Sequence, residues 1–228
     1  MNSLNDAKAI LKEAELFKDY NKTREQTLSI RKFSESFIRI SQSNDYEKIY
    51  KVAMENLDYD FVLVDDSFFQ FSCIHNEGSF NKATIRYAYY ENPRSYMTYE
   101  EFLSTNEIEE EGGESFLDYY EQEKAEASLK NSVAPFRYDY DYIHYEAIHH
   151  PVSHMHIGHN NNVRVPLNKI ITPAIFVVFV LRNVYLKEWK QAFDKERFRH
   201  LCLSAKNSCQ DLDIDYFTED EKKLLHIW

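Results

Sequence analysis

Glycine and proline are scarce in this chain of 228 residues, with four of the first and five of the second. So few turn-formers leave most of the length to regular structure. Cysteine is nearly as rare: Cys73, Cys202 and Cys209 show no CxxC spacing. That excludes a disulfide framework and points to free thiols in a reducing, cytoplasmic setting. The longest apolar run, Ala174 to Leu181, falls far below the roughly 20 residues of a membrane span. The opening MNSLNDAKAI has no apolar run or cleavage site, so no secretory signal and no membrane contact are expected. No Walker loop and no Rossmann glycine pattern occurs, which argues against nucleotide-driven work. Positive charge is also short, and a formal net charge of −11 argues against a general affinity for nucleic acid.

What the chain does have is aromatic residues (17 Tyr and 16 Phe) and charge that is unevenly spread. From Tyr99 to Lys130 eleven acids stand against Lys124 and Lys130. From Asn160 to His200 eight bases stand against Glu188, Asp194 and Glu196. Two solvated helix faces of opposite sign explain this most simply; a local basic surface is the alternative.

The elements follow from periodicity and punctuation. Residues 3–19 read as an amphipathic helix with Ala7, Ile10, Leu11 and Leu16 on its apolar side. Residues 22–41 mix periods of two and four and are assigned to helix; Asn44-Asp45 opens another. FVLV (61–64) and FFQFSCI (68–74) around a polar turn make a hairpin, and ATIRYAYYE (83–91) a further strand. Thr98 with Glu101 is a capping box, the acidic stretch at Gly112-Gly113 a loop, and Glu114 to Leu129 a helix. Strands follow from Pro135, at SHMHIGH (153–159) and at VRVP (163–166). Thr172-Pro173 starts one helix reaching Phe193, Asp194 starts another, and Thr218 with Glu221 caps the last, which ends in Ile227-Trp228. The expected class is α+β: an antiparallel sheet of about five to seven strands covered by N-terminal and C-terminal helices. A single domain over 1–228 is expected, with N-terminal helices to 57, the sheet over 58–166, an acidic helical insertion at about 98–130, and C-terminal helices over 172–228.

Six of the nine histidines fall between Arg137 and Pro166. In the strand from Pro135, Arg137, Asp139 and Asp141 point one way, and Tyr138, Tyr140, Tyr142, His144 and Glu146 the other. On a strand, His154 and His156 project from one face with backbones roughly 7 Å apart. Three chemistries use such a pair. Both imidazoles can chelate a divalent metal, with Asp139, Asp141, Glu146 or His150 completing the shell. They can act as acid and base on a phosphodiester, with Arg137 or Arg164 neutralising the phosphate, Asp139 fixing a tautomer and His150 a further substrate contact. Or they can be structural or bind a partner. Ser153 lacks an elbow sequence and is no nucleophile. The contiguous His144-Tyr145-Glu146 is not the His, Tyr, Glu set of ADP-ribosyltransferases, which is drawn from three strands.

Arg137-Tyr138-Asp139, His150-Pro151, His154-Met155-His156-Ile157-Gly158, Arg164-Val165-Pro166 and Thr172-Pro173, before a helix ending near Trp189, form a pattern. It resembles that of a bacterial family known only as domain of unknown function 2290. The resemblance covers most of the C-terminal half and, more weakly, the whole chain; a fainter one links it to small toxins of toxin–antitoxin pairs. The resemblance implies a mobile or defence locus and a nucleic-acid-cleaving toxin or effector. It also implies a protein partner encoded nearby, an antitoxin or a defence subunit, and it supplies no catalytic residues. A nuclease-like effector is the leading expectation: His154, His156, Asp139 and Arg137 at the chemistry, Arg164 and His150 on substrate, and a divalent metal on His154 and His156 left open. A non-catalytic subunit of such an assembly is the alternative, and a homodimer is also left open.

Overall fold

A computed structural model describes residues 4–18, 33–75, 83–108 and 116–225. Its centre is a six-stranded antiparallel meander: β1 (Phe61–Val62), β2 (Phe68–His75), β3 (Ala83–Tyr90), β4 (Phe136–Asp141), β5 (Ser153–Ile157) and β6 (Val165–Pro166), side by side in chain order. The architecture is α+β, with helices from both ends of the chain against the sheet.

Alternation decides which side chains each face receives. Phe69, Phe71 and Cys73 of β2, Ile85, Tyr87 and Tyr89 of β3, Phe136, Tyr138 and Tyr140 of β4 and Met155 of β5 point to one side. There they meet α1 (Asn5–Glu13), α6 (Pro173–Val184) and α8 (Glu196–Asn207). Thr172 caps α6, its hydroxyl accepting from the Ile175 N–H, and Pro173 fills the first turn, where no N–H is needed. Phe176 of α6 is fully buried, its ring edge-on to Phe69 and Phe71 and tilted against Tyr87. Burying such a ring contributes about 2–3 kcal/mol.

The other face is covered only in part. α2 (Glu35–Ile40) and α3 (Tyr46–Glu55) lay Phe37, Ile49 and Ala53 over Val62 and Phe68, with Tyr90 at the margin. Ser34 and Asp45 cap these helices. α4 (Tyr99–Thr105) carries its capping box, and α5 (Leu117–Glu126) packs Tyr120 on Phe102. α9 (Glu219–Leu224) closes the described chain with the second capping box. No helix of the described residues is long and apolar enough to cross a membrane.

Three expectations need amendment. The helix from Thr172 does not run to Phe193. It breaks at Tyr185 (φ −108°, ψ 54°) before α7 (Leu186–Phe193), where the buried Tyr185 hydroxyl meets the Tyr89 hydroxyl and donates to Asp65. The strand of Arg137 stops at Asp141 and does not reach His144 or Glu146: the Asp141 carboxylate accepts from the Ile143 and His144 N–H groups and turns the chain. A two-stranded sheet, β7 (Lys169–Ile170) with β8 (Gln210–Asp211), was not anticipated. Of the bases from Asn160 to His200, Lys195 and Arg197 pair with Glu15 and Glu13, just beyond and at the end of α1. Residues 22–32 of the helix expected over 22–41, the loop at Gly112-Gly113 and the terminal Ile227-Trp228 lie outside the described residues.

Candidate functional site

The partly covered face carries the chemistry. With Tyr138 and Tyr140 committed to the core, Arg137 and Asp139 must project to the opposite side of β4. Antiparallel register then selects their neighbours. Asp139 lies between Arg86 of β3 and His154 of β5, and Arg137 between Ala88 and His156. Directly opposed residues stand close enough for side chains to touch, and here they do.

Asp139 is the hub. One carboxylate oxygen, Oδ1, accepts from Arg86 Nε at 3.1 Å; the other, Oδ2, accepts from Arg137 Nε at 2.9 Å and lies 3.3 Å from His156 Nε2. His154 Nε2 is 4.0 Å from the same Oδ2 and 3.1 Å from His156 Nε2. Asp139, His154 and His156 are each at least nine-tenths buried. Burial alone would raise the Asp139 carboxyl, but the His156 hydrogen bond and the charges of Arg137 and Arg86 outweigh it and hold it well below the usual carboxylate range. Asp139 is a fixed anion.

The tautomer of His154 is set from behind. Its Nδ1–H donates to the Pro151 carbonyl at 2.7 Å, which leaves a lone pair on Nε2 facing His156. Burial pushes its pKa down to about 4, against the opposing effects of that carbonyl and Asp139, so His154 is neutral near pH 7. Of the two imidazoles, His156 lines the adjoining groove.

The groove has two recesses that share Arg137. One, about 320 Å³, runs past His156, Gly158, His159 and Asn160 to Ser41 and Ser43. The other, about 420 Å³, holds Arg86, Gln70, Tyr90, Phe33 and Phe37. Gly158, at φ +85°, makes the turn after β5, a backbone conformation that strains any residue with a Cβ, and such a Cβ would also lie 2.7 Å from Asn161 Nδ2 and push it away. His159 Nε2–H donates to the Ser43 carbonyl at 2.9 Å and ties that turn to the end of α2.

The two arginines are used at Nε alone. Each forms one ion pair with Asp139, and neither guanidinium makes a further hydrogen bond to a described residue. Their side chains are 57% and 44% exposed, so the Nη ends are free to take an anion. Two guanidiniums against one carboxylate leave a net positive spot on an acidic protein. Such a pair suits phosphate oxygens.

Of the residues expected from sequence, Arg137, Asp139, His154 and His156 come together. His150 stands behind them, its ring 5.0 Å from that of His154 and its Nδ1 buried without a partner among the described residues. Arg164 does not join the group: it is exposed ahead of β6 with no hydrogen bond or ion pair to a described residue. Asp141 bonds His144 at 2.7 Å, and Glu146 is exposed in the turn. Arg86 is the residue that sequence reasoning missed. Its only signal was a lone charge inside the apolar alternation of ATIRYAYYE.

Three of these side chains form a metal-competent set. Asp139, His154 and His156 each offer one ligand atom to a common point.

The family model for an uncharacterized conserved protein (DUF2290) matches residues 11–228. No curated protein and no solved structure matches the chain.

Proposed function

The chain belongs to the uncharacterized conserved DUF2290 family, and we propose from its geometry that it is a nuclease-like phosphodiester hydrolase, an effector acting on nucleic acid. One observation carries this reading: Arg86 and Arg137 are anchored at Nε by the buried Asp139, their Nη ends take no partner among the described residues, and Arg137 lines the recess of His156 as well as that of Arg86. A phosphodiester bridging these ends would have its non-bridging oxygens neutralised, the largest contribution a protein makes to phosphoryl chemistry. The Asp139–His154–His156 centre lies alongside, where it would take the proton of an attacking water as the P–O bond to the leaving oxygen breaks. Phe33 and Tyr90 line the recess of Arg86 and pack against Phe37 and Phe68, which gives that recess an aromatic wall.

The test is cleavage of end-labelled single-stranded RNA and DNA by untagged protein, alongside its His156→Gln and Arg137→Ala variants. Each substitution should slow cleavage about 100-fold or more while leaving the fold intact. Variants as active as wild type would overturn the reading.

A second reading has its own support. Asp139, His154 and His156 are buried and in contact with one another, and Arg86 ties Asp139 to β3, as in a polar network that holds three strands of a non-catalytic, partner-binding subunit. On that reading the same variants lose stability, at about 1–3 kcal/mol each, and no cleavage is seen with any of them.

A further inference from the structure

We propose that Asp139, His154 and His156 bind a divalent transition metal of the zinc class, three protein ligands with the remaining coordination left to water or substrate. The proposal deepens the hydrolase reading by naming what would activate the water, and it stands or falls on a separate measurement.

The geometry is the first argument. Asp139 Oδ2, His154 Nε2 and His156 Nε2 are separated by 3.1, 3.3 and 4.0 Å. A point equidistant from these three atoms lies about 2.1 Å from each, the length of a zinc–imidazole or zinc–carboxylate bond.

The second argument is the direction of the lone pairs. The Pro151 carbonyl takes the Nδ1–H of His154, so the nitrogen that faces His156 is the one with a free pair. Metal-binding histidines are held in this way by a carbonyl or carboxylate behind them. Two Nε2 atoms 3.1 Å apart must share something positive. Without a metal it is the single hydrogen on His156 Nε2; a divalent cation would displace it to solvent. The carboxylate is oriented too, because Arg86 and Arg137 each hold one of its oxygens.

Donor chemistry narrows the ion. Two imidazoles and one carboxylate suit zinc, iron, cobalt or nickel, whereas magnesium and calcium prefer sets made wholly of oxygen. The count of three matches catalytic zinc sites, which keep one position open. The two guanidiniums close to this cation would draw an anion into the groove, so metal and phosphate would occupy it together.

The probes are cobalt(II) and zinc chlorides added to untagged, chelator-treated wild-type protein, with visible absorption of cobalt and plasma mass spectrometry of zinc as readouts. One equivalent of cobalt should give ligand-field bands that zinc abolishes, and magnesium in large excess should not compete. His154→Gln and His156→Gln should lose the bands, while Arg137→Ala, which removes no ligand, should keep them. Should the deeply buried His154 variant fail to fold, His156→Gln and the wild-type titration decide the matter. A wild type that takes up neither ion, or bands that survive both histidine substitutions, would overturn the site. Full cleavage by metal-free protein would overturn the metal's role and leave the hydrolase standing. Stoichiometric metal without cleavage of RNA or DNA would do the reverse.

Discussion

Replacing Glu221 should be among the most damaging changes outside the main core, although its sequence context is an ordinary terminal helix. Its residue is 1% exposed, and its carboxylate is a hub. Oε2 accepts from the Thr218 N–H at 2.8 Å, the Thr218 hydroxyl at 3.0 Å and the Tyr145 hydroxyl at 2.9 Å; Oε1 accepts from the Ile148 N–H at 3.3 Å. One side chain thus completes the capping box of α9 and pins the β4–β5 connection, which carries His150 and the Pro151 carbonyl behind His154. Hydrogen bonds to a charged group contribute about 1.5–3 kcal/mol each. Ile148 is 38% exposed, so water returns to its amide and the full sum is not lost. A net cost of about 2–4 kcal/mol for Glu221→Ala follows from these contributions. At this chain length that lowers the thermal midpoint by about 4–15 °C. Glu221→Gln keeps the shape and one acceptor and should fall between the two. Hydrogen exchange at Ile148 should quicken in both variants.

The acid limb provides an independent check. Burial raises the Glu221 carboxyl, but the bonds from Thr218, Tyr145 and Ile148 prevail and leave it below its ordinary value. The unfolded chain therefore takes up the proton first. The contribution is complete above the unfolded value of about 4.3 and is lost as pH falls through the folded one. The stability gap between wild type and Glu221→Gln should narrow below about pH 4. A Glu221→Ala midpoint indistinguishable from wild type, or a gap that widens in acid, would refute the reasoning.

Two other outcomes are expected. Phe176→Ala empties a site that is 0% exposed beneath three rings, and urea unfolding should show a loss of about 3–5 kcal/mol; a loss below about 1 kcal/mol would mean that α6 is not seated on the sheet. Burial pushes the Cys73 and Cys202 thiols up to about 11, so a disulfide reagent at pH 8 should label Cys73 only after unfolding, and rapid native labelling of Cys73 would contradict its placement.

How much of this was legible depends on the range of the signal. Caps are local, and Asp45, Thr98-Glu101, Thr172-Pro173 and Thr218-Glu221 all open helices where their spacing indicated. The hairpin at Asp65-Asp66-Ser67 was equally plain. The break at Tyr185 was hidden, because the apolar period runs on through it and its cause, a hydroxyl bonded to Asp65 and Tyr89, lies about a hundred residues away in sequence. The pairing of His154 with His156 followed from alternation alone. Uniting them with Asp139 required the β4–β5 register, which depends on a turn containing Ile148 at φ +71°. Arg86 needed the β3–β4 register as well, and nothing near it in sequence marks the connection. Arg164 was named for its guanidinium, as a phosphate contact, but it stands exposed ahead of β6 with no hydrogen bond or ion pair to a described residue.

The location of the site has a physical cause in the lengths of the covering helices. At about 1.5 Å per residue, the ten residues of α3 span about 15 Å. Six strands spaced about 4.8 Å apart extend about 24 Å from first to last. The pair α2–α3 sits over β1, β2 and the end of β3, and among the described residues no apolar cluster covers the remaining strands on that side. Charged side chains on β3, β4 and β5 are therefore tolerated there, and water can reach the Nη ends of Arg86 and Arg137. Each guanidinium carries five N–H donors; Asp139 takes only the Nε–H of each, and no other described residue takes the rest. Water satisfies those exposed donors in the free protein, and an anionic substrate of the kind proposed would have to displace that water to bind them.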